Sequence, residues 1–82
     1  MRFRLFLSED ARHQLRALPR ETRRTIGHRI DLLQTDLSGD VKKLSARENK
    51  YRLRAGSFRV LFELQGDTIF IHAVKDRKEA YD

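Results

Sequence analysis

The sequence predicts an α+β two-layer sandwich, in which a helix hairpin packs on one face of an antiparallel sheet. Three observations predict it. An alternating apolar and polar run opens the chain. Two stretches with apolar residues at i, i+4 and i+7 follow, separated by the single proline, Pro19. Alternating runs then return, divided by Gly-Ser and Gly-Asp turn signals. Each helical stretch has one apolar stripe, so the pair covers one face of the sheet and leaves the other open.

Arg2–Leu7 forms the first strand, with Phe3, Leu5 and Leu7 on one side and Arg2 and Arg4 on the other. Ser8 is a suitable N-cap, and Glu9 and Asp10 follow where a helix N-terminus favours negative charge. Ala11, Leu15 and Leu18 set the stripe of a short helix that Pro19 ends. A second helix runs from about Arg20 to Thr35, its stripe formed by Ile26, Ile30, Leu33 and Leu37. The arginines at 12, 16, 20, 23, 24 and 29 lie on the solvated side of this pair. Val41–Leu44 is a short edge strand, whose Lys42 and Lys43 suit an exposed edge. A sheet of three or four strands after the helices completes the domain, which spans residues 1–82.

The most informative stretch is Lys50–Glu63. Tyr51, Leu53 and Ala55 alternate with Arg52 and Arg54; Phe58, Val60 and Phe62 alternate with Arg59, Leu61 and Glu63. Gly56-Ser57 between them suits a two-residue type II′ turn. That loop pairs Ala55 with Phe58, Arg54 with Arg59, Leu53 with Val60, Arg52 with Leu61 and Tyr51 with Phe62. Apolar residues then share one face, and Arg52, Arg54 and Arg59 share the other. Like charges directly opposite each other destabilise a sheet, so Arg54 against Arg59 implies an anionic ligand. Phosphate matches the guanidinium fork best. A second two-residue turn at Gly66-Asp67 pairs Leu64 with Ile69, Phe62 with Ile71 and Leu61 with His72. Ile69, Ile71 and Ala73 then face the core, and Phe70, His72 and Val74 face outward with the arginines.

The chain has 82 residues, 13 of them Arg and 5 Lys, and a formal net charge of +6. Such a balance points to nucleic acid or an acidic protein partner. Without cysteine there is no disulfide framework and no thiolate metal site, and His13, His28 and His72 have no ligand spacing. No cofactor or metal is expected. The absence of an apolar run of membrane-spanning length, or of a signal-peptide pattern, makes the cytoplasm the expected location. What remains for chemistry is Arg52, Arg54, Arg59, His72, Lys75, Arg77 and Tyr81 near the open face. RNA phosphodiester cleavage requires deprotonation of a 2′-hydroxyl, stabilisation of charge on phosphate and protonation of the leaving oxygen. Arginine performs the second task and is a poor base.

Nearly the whole chain resembles the RelE/ParE superfamily of bacterial toxin–antitoxin toxins. The resemblance rests on the Ser-x-x-Ala helix start at Ser8, the Leu-x-x-Leu-Pro break at Leu15–Pro19 and Lys43-Leu44. It rests most of all on Tyr51–Glu63 and on the closing Val74 to Tyr81 pattern, Val-x-x-Arg-x-x-x-Tyr. It implies a toxin restrained by an acidic, partly disordered antitoxin in a hetero-oligomer. In the RelE branch it also implies a metal-independent endoribonuclease that cuts mRNA in the ribosomal A site. The resemblance carries over Arg52, Arg54, Arg59, Arg77 and Tyr81; Arg59, Arg77 and Tyr81 are the expected catalytic residues, and Arg52 and Arg54, with Lys50, Lys43 and Lys75, are expected to contact RNA. The chain departs from many RelE toxins in carrying Arg52 and Arg54 where lysines stand, and Asp76-Arg77 where His-Arg is common. Those changes leave Tyr81 and His72 as the groups on this face suited to proton transfer. Two alternatives remain open: a ParE-type DNA gyrase inhibitor without nuclease activity, and a non-toxic relative that binds antitoxin.

Overall fold

In the computed structural model, residues 2–37, 39–44 and 49–76 are described. The order is β1 (Arg4–Leu7), α1 (Glu9–Arg16), α2 (Arg20–Asp36), β2 (Asp40–Lys43), β3 (Lys50–Ala55), β4 (Phe58–Gln65) and β5 (Thr68–Asp76). The two helices pack on one side of a five-stranded sheet of order β1-β5-β4-β3-β2. This is the expected α+β sandwich, with one difference in strand direction. β2 to β5 form an antiparallel meander, but β1 pairs with β5 in parallel, so the sheet is mixed rather than wholly antiparallel. The helix hairpin carries the chain from β1 to the far edge, and four meandering strands bring it back beside β1.

Local chemistry sets the element ends. Ser8 caps α1, its Oγ accepting from the Ala11 N–H at 3.0 Å. α2 starts directly after Pro19 and stops at Leu37, which takes a left-handed φ of 59° while its N–H bonds to the Leu33 carbonyl at 2.8 Å. β1 is two residues shorter than expected. Phe3 instead bonds to α2, its N–H donating to the Gln34 carbonyl at 2.7 Å and its carbonyl accepting from Gln34 Nε2 at 2.9 Å. Gly56 and Gly66 have φ of 61° and 59°, and the residues after them do not have positive φ, as type II′ turns require.

The core lies between the layers. Ile26 and Leu33 of α2 meet Leu53, Val60, Phe62, Ile69 and Ile71 of the sheet, all fully buried. Burial of each such side chain stabilises the fold by about 1.5–3 kcal/mol. Tyr51 stacks on Phe62 at 5.4 Å on the same face.

The β3–β4 register agrees with the expected one at every pair from Tyr51–Phe62 to Ala55–Phe58. The β4–β5 register agrees for Leu64–Ile69 and Phe62–Ile71 and then shifts by one residue. The expected Leu61–His72 pair is not formed. Leu61 pairs with Ala73, and His72 is the extra residue of a β-bulge. Val74, expected outward, is therefore buried in the core at 5% exposure, while Ala73, expected inward, joins Leu61 on the outer face. The bulge persists because α1 and the end of β1 satisfy its backbone. The Ser8 N–H donates to the Ile71 carbonyl at 2.9 Å and Ser8 Oγ donates to the His72 carbonyl at 2.8 Å. The Val74 N–H donates to Gln14 Oε1 at 2.6 Å.

Candidate nucleic-acid interface

Strand pairing sorts the side chains of the open face into rows that cross the sheet. One row is Asp40, Arg54, Arg59 and Lys75 on β2, β3, β4 and β5. The next is Lys42, Arg52, Leu61 and Ala73. The third is Lys50, Glu63, Phe70 and Phe6, from β3 to β1. Neighbouring residues of a row stand about 4.5–5.5 Å apart. Arg59 therefore stands between Arg54 and Lys75, with Arg52 and Lys42 in the adjoining row. Arg54 is exposed and Arg59 is half-buried, with its Nε enclosed. A phosphate above this corner meets several cationic donors at once, and guanidinium groups bind it through paired N–H donors.

The bulge sets the border of the cationic corner. His72 is exposed and its Nε2 lies 3.2 Å from Glu63 Oε2. Gln65 Nε2 donates to the other carboxylate oxygen, Glu63 Oε1, at 2.7 Å. The Gln65 hydrogen bond acts most strongly and lowers the Glu63 carboxyl; desolvation, next in size, opposes it, and the hydrogen bond and charge of His72 and the charge of Lys50 lower it further, so it stays below its ordinary value of 4.5. Phe70 packs on Phe6 with ring centroids 5.6 Å apart.

Of the residues read from the sequence, Arg52, Arg54, Arg59, Lys50, Lys75 and His72 share this face. Lys43 does not. It is opposite Tyr51, on the helix side of the sheet, with Nζ 5.8 Å from the Tyr51 ring centre. Arg77 and Tyr81 lie outside the described residues. Phe6 and the Glu63–His72 contact were not visible in the sequence. Phe6 enters the face because β1 adjoins β5, a long-range pairing for which the local pattern carries no signal. Among the described residues, no three His, Asp or Glu side chains cluster closely enough to hold a metal ion. Nor is any helix among them long and apolar enough to cross a membrane.

Two helices over a mixed sheet with a row of cations on its open side define a small α+β protein with a cationic sheet face. Known proteins share both fold and sequence with it. The RelB–RelE antitoxin–toxin complex of Methanococcus jannaschii contains a chain that is 31% identical, with coverage of 94% of this chain and 95% of that one and a TM-score of 0.78. The archaeal RelE–RelB complex of Pyrococcus horikoshii OT3 gives 26% identity, coverage of 94% and 97% and a TM-score of 0.80. Toxin RelE3 of Methanocaldococcus jannaschii is 45% identical over 47 residues, which span 57% of this chain and 53% of that relative. The aligned stretch is thus about half the length of this curated relative. No family model matches the chain. The chain belongs to the RelE family of toxins.

Proposed function

We propose that this protein is the toxin of a type II toxin–antitoxin pair and that it cleaves mRNA in the A site of translating ribosomes. The observation that carries this reading is the row Arg54–Arg59–Lys75, bordered by Arg52 and Lys42. Cations in register raise one another's energy, and a phosphodiester offsets that cost. The reaction divides into charge stabilisation and proton transfer. Arg59 stabilises the negative charge that develops on the scissile phosphate, with Arg77 assigned the same work by resemblance. Arg52, Arg54, Lys50 and Lys75 hold neighbouring phosphates. Tyr81 takes part in proton transfer, and His72 is the second candidate for that role. Action on ribosomes places the protein in the cytoplasm.

The restraining partner is an acidic antitoxin, by analogy with the RelB chains of the two archaeal complexes. The net charge of +6 favours such a partner. Binding to the folded toxin raises its stability by about 2.7 kcal/mol when the free partner is at 100 times its Kd. A thermal melt with and without the neighbouring gene product measures that shift, and an unchanged midpoint argues against the partner.

Primer extension on mRNA from translating ribosomes tests the reaction. Wild-type protein should give cleavage within the A-site codon and Arg59→Ala should not. Ribosomes left with intact mRNA, together with inhibited gyrase supercoiling, would establish the ParE-type reading, which Arg52 and Arg54 in place of lysines favour.

A further inference from the structure

The aromatic row has no role in the chemistry assigned to the cations. Phe6 is 60% exposed on an edge strand whose alternate residues, Leu5 and Leu7, face the helices. Folding gains little from a ring left so much in water. Its ring is held against Phe70, at 5.6 Å and a tilt of 49°, and Phe70 stands beside Glu63 in the same row. Both rings lie on the face that carries Arg52, Arg54 and Arg59. Along β5, Phe70 and Lys75 are at most about 16–17 Å apart at the usual rise per residue. A few nucleotides of extended single strand cover such a distance.

The polar groups beside the rings suit a base rather than a phosphate. Glu63 is held by Gln65 at 2.7 Å and by His72 at 3.2 Å, and its carboxylate repels phosphate. Each carboxylate oxygen keeps further acceptor capacity for an amino or ring N–H group of a base. Phe6 also lines an open groove of about 490 Å³ together with Glu9, Arg12, His13 and Arg16, two arginines against one carboxylate. Arg12 and Arg16 thus offer cations beside the ring, in addition to those of the cationic corner. A polyanion with flat bases complements rings set near two groups of cations, and single-stranded nucleic acid is recognised in this way.

We propose that Phe6 and Phe70, with Glu63 and His72 at their edge, form a nucleobase subsite on which a base of single-stranded RNA stacks, its hydrogen-bond donors turned to the carboxylate. The subsite rests on the RNA reading above and adds to it a place where base identity is sensed, beside the cations that hold phosphate. Stacking holds the base and the carboxylate selects among bases. Guanine is preferred, because its ring N1–H and exocyclic amine present two adjacent donors to the two carboxylate oxygens.

The test uses the full chain and short single-stranded RNAs carrying 2-aminopurine, whose fluorescence is quenched by stacking. Wild-type protein should bind and quench. Phe6→Leu should lose the quenching and weaken binding about 5- to 100-fold, in line with the loss of one base–aromatic stack. Arg54→Ala should weaken binding while the quenching at saturation persists. Glu63→Gln should change the ratio of affinities among RNAs that differ at one base. Circular dichroism melts establish that each variant is folded, and Phe70→Leu gives an independent reading of the same platform. If Arg54→Ala weakens binding but both Phe6→Leu and Phe70→Leu bind and quench like wild type, the subsite is overturned and the RNA face stands. If Phe6→Leu leaves RNA binding unchanged but loosens a co-expressed acidic polypeptide, the platform is a protein-docking surface and the subsite is likewise overturned. If wild-type protein binds none of these RNAs at low salt, the subsite is overturned, while primer extension on ribosomes still decides the RNA reading.

Discussion

At one end of the open face Arg54, Arg59 and Lys75 stand in register; at the other Glu63, Phe70 and Phe6 do. Cations in register cost stability, on the order of 0.2–1 kcal/mol for a directly opposed pair. The aromatic end has the opposite balance. A ring pair contributes about 0.5–1.5 kcal/mol beyond its buried area, and Glu63 is engaged by Gln65 and His72. One end therefore carries like-charge contacts, with Asp40 beside Arg54 at the end of the row, and the other contributes modestly to folding. The bulge at His72 lies between them and brings Lys75 beside Arg59. The difference teaches that substitutions at the cationic end should lose activity without losing fold.

The largest expected effect breaks the comparison at that end. Arg59→Ala should slow single-turnover cleavage on ribosomes by about 100- to 1000-fold, the typical loss when one preorganised charge donor is removed. Its melting temperature should change by a few degrees at most, because Arg59 stands on the outer face of the sheet, away from the core. A fall of many degrees would make Arg59 a structural residue and remove the contrast between the two ends.

The bulge comes next, because both ends depend on it. With Val74 in the core, Val74→Ala should destabilise the protein by about 1–2.5 kcal/mol. For a domain of this size that lowers Tm by about 4–8 °C per kcal/mol. Ala73→Ser, on the outer face, should stay within about 0.5 kcal/mol. An unbulged ladder exchanges the two results, so a pair of thermal melts distinguishes the registers.

This pair of residues also marks where the sequence stops being legible. The β3–β4 hairpin could be read because its register depends on a local two-residue turn and a strict alternation of apolar residues. The β4–β5 turn was equally readable, and the pairing is correct from Leu64 to Phe62. It then fails at His72, because the groups that accommodate the bulge come from Ser8 and Gln14, about 60 residues away in the chain. The cationic residues of the site were legible for the same local reason as the first hairpin. Phe6 was not, since its place beside Phe70 follows from β1 joining β5 at the sheet edge. Lys43 was expected to contact RNA, but alternation along β2 turns it to the opposite side of the sheet, over Tyr51.

A smaller effect sharpens the cost of the cationic row. Arg54→Thr keeps a residue suited to strands and removes one member of the Arg54–Arg59 pair. In an Asp40→Asn background, which removes the attraction across from Arg54, it should raise stability by about 0.2–1 kcal/mol at low salt. The gain should shrink at 1 M salt, where the screening length falls to about 3 Å. Urea melts of both proteins at the two ionic strengths measure this. A gain that does not depend on salt would have a source other than charge repulsion.

The smallest effect belongs to Glu63 at the other end. Its carboxyl is held below 4.5 in the folded protein, first by Gln65 and then by His72 and Lys50. The folded state therefore binds fewer protons than the unfolded state in the interval between the folded value and 4.5. Stability rises with pH wherever the unfolded state binds more protons. The contribution of Glu63 is present in full above the unfolded value and disappears as pH falls through the folded one. Glu63→Gln cannot lose a proton, so its stability should lack this segment of the acid limb. The difference in unfolding free energy between wild type and Glu63→Gln should be largest near neutral pH and should shrink below about pH 4.5, where the wild-type carboxyl gains its proton. Because the carboxylate remains in contact with solvent, the effect should be the least of the four. Parallel curves for the two proteins down to strongly acid pH would mean that the contacts to Gln65 and His72 do not favour the ionised form, and the aromatic end would lose its charged member.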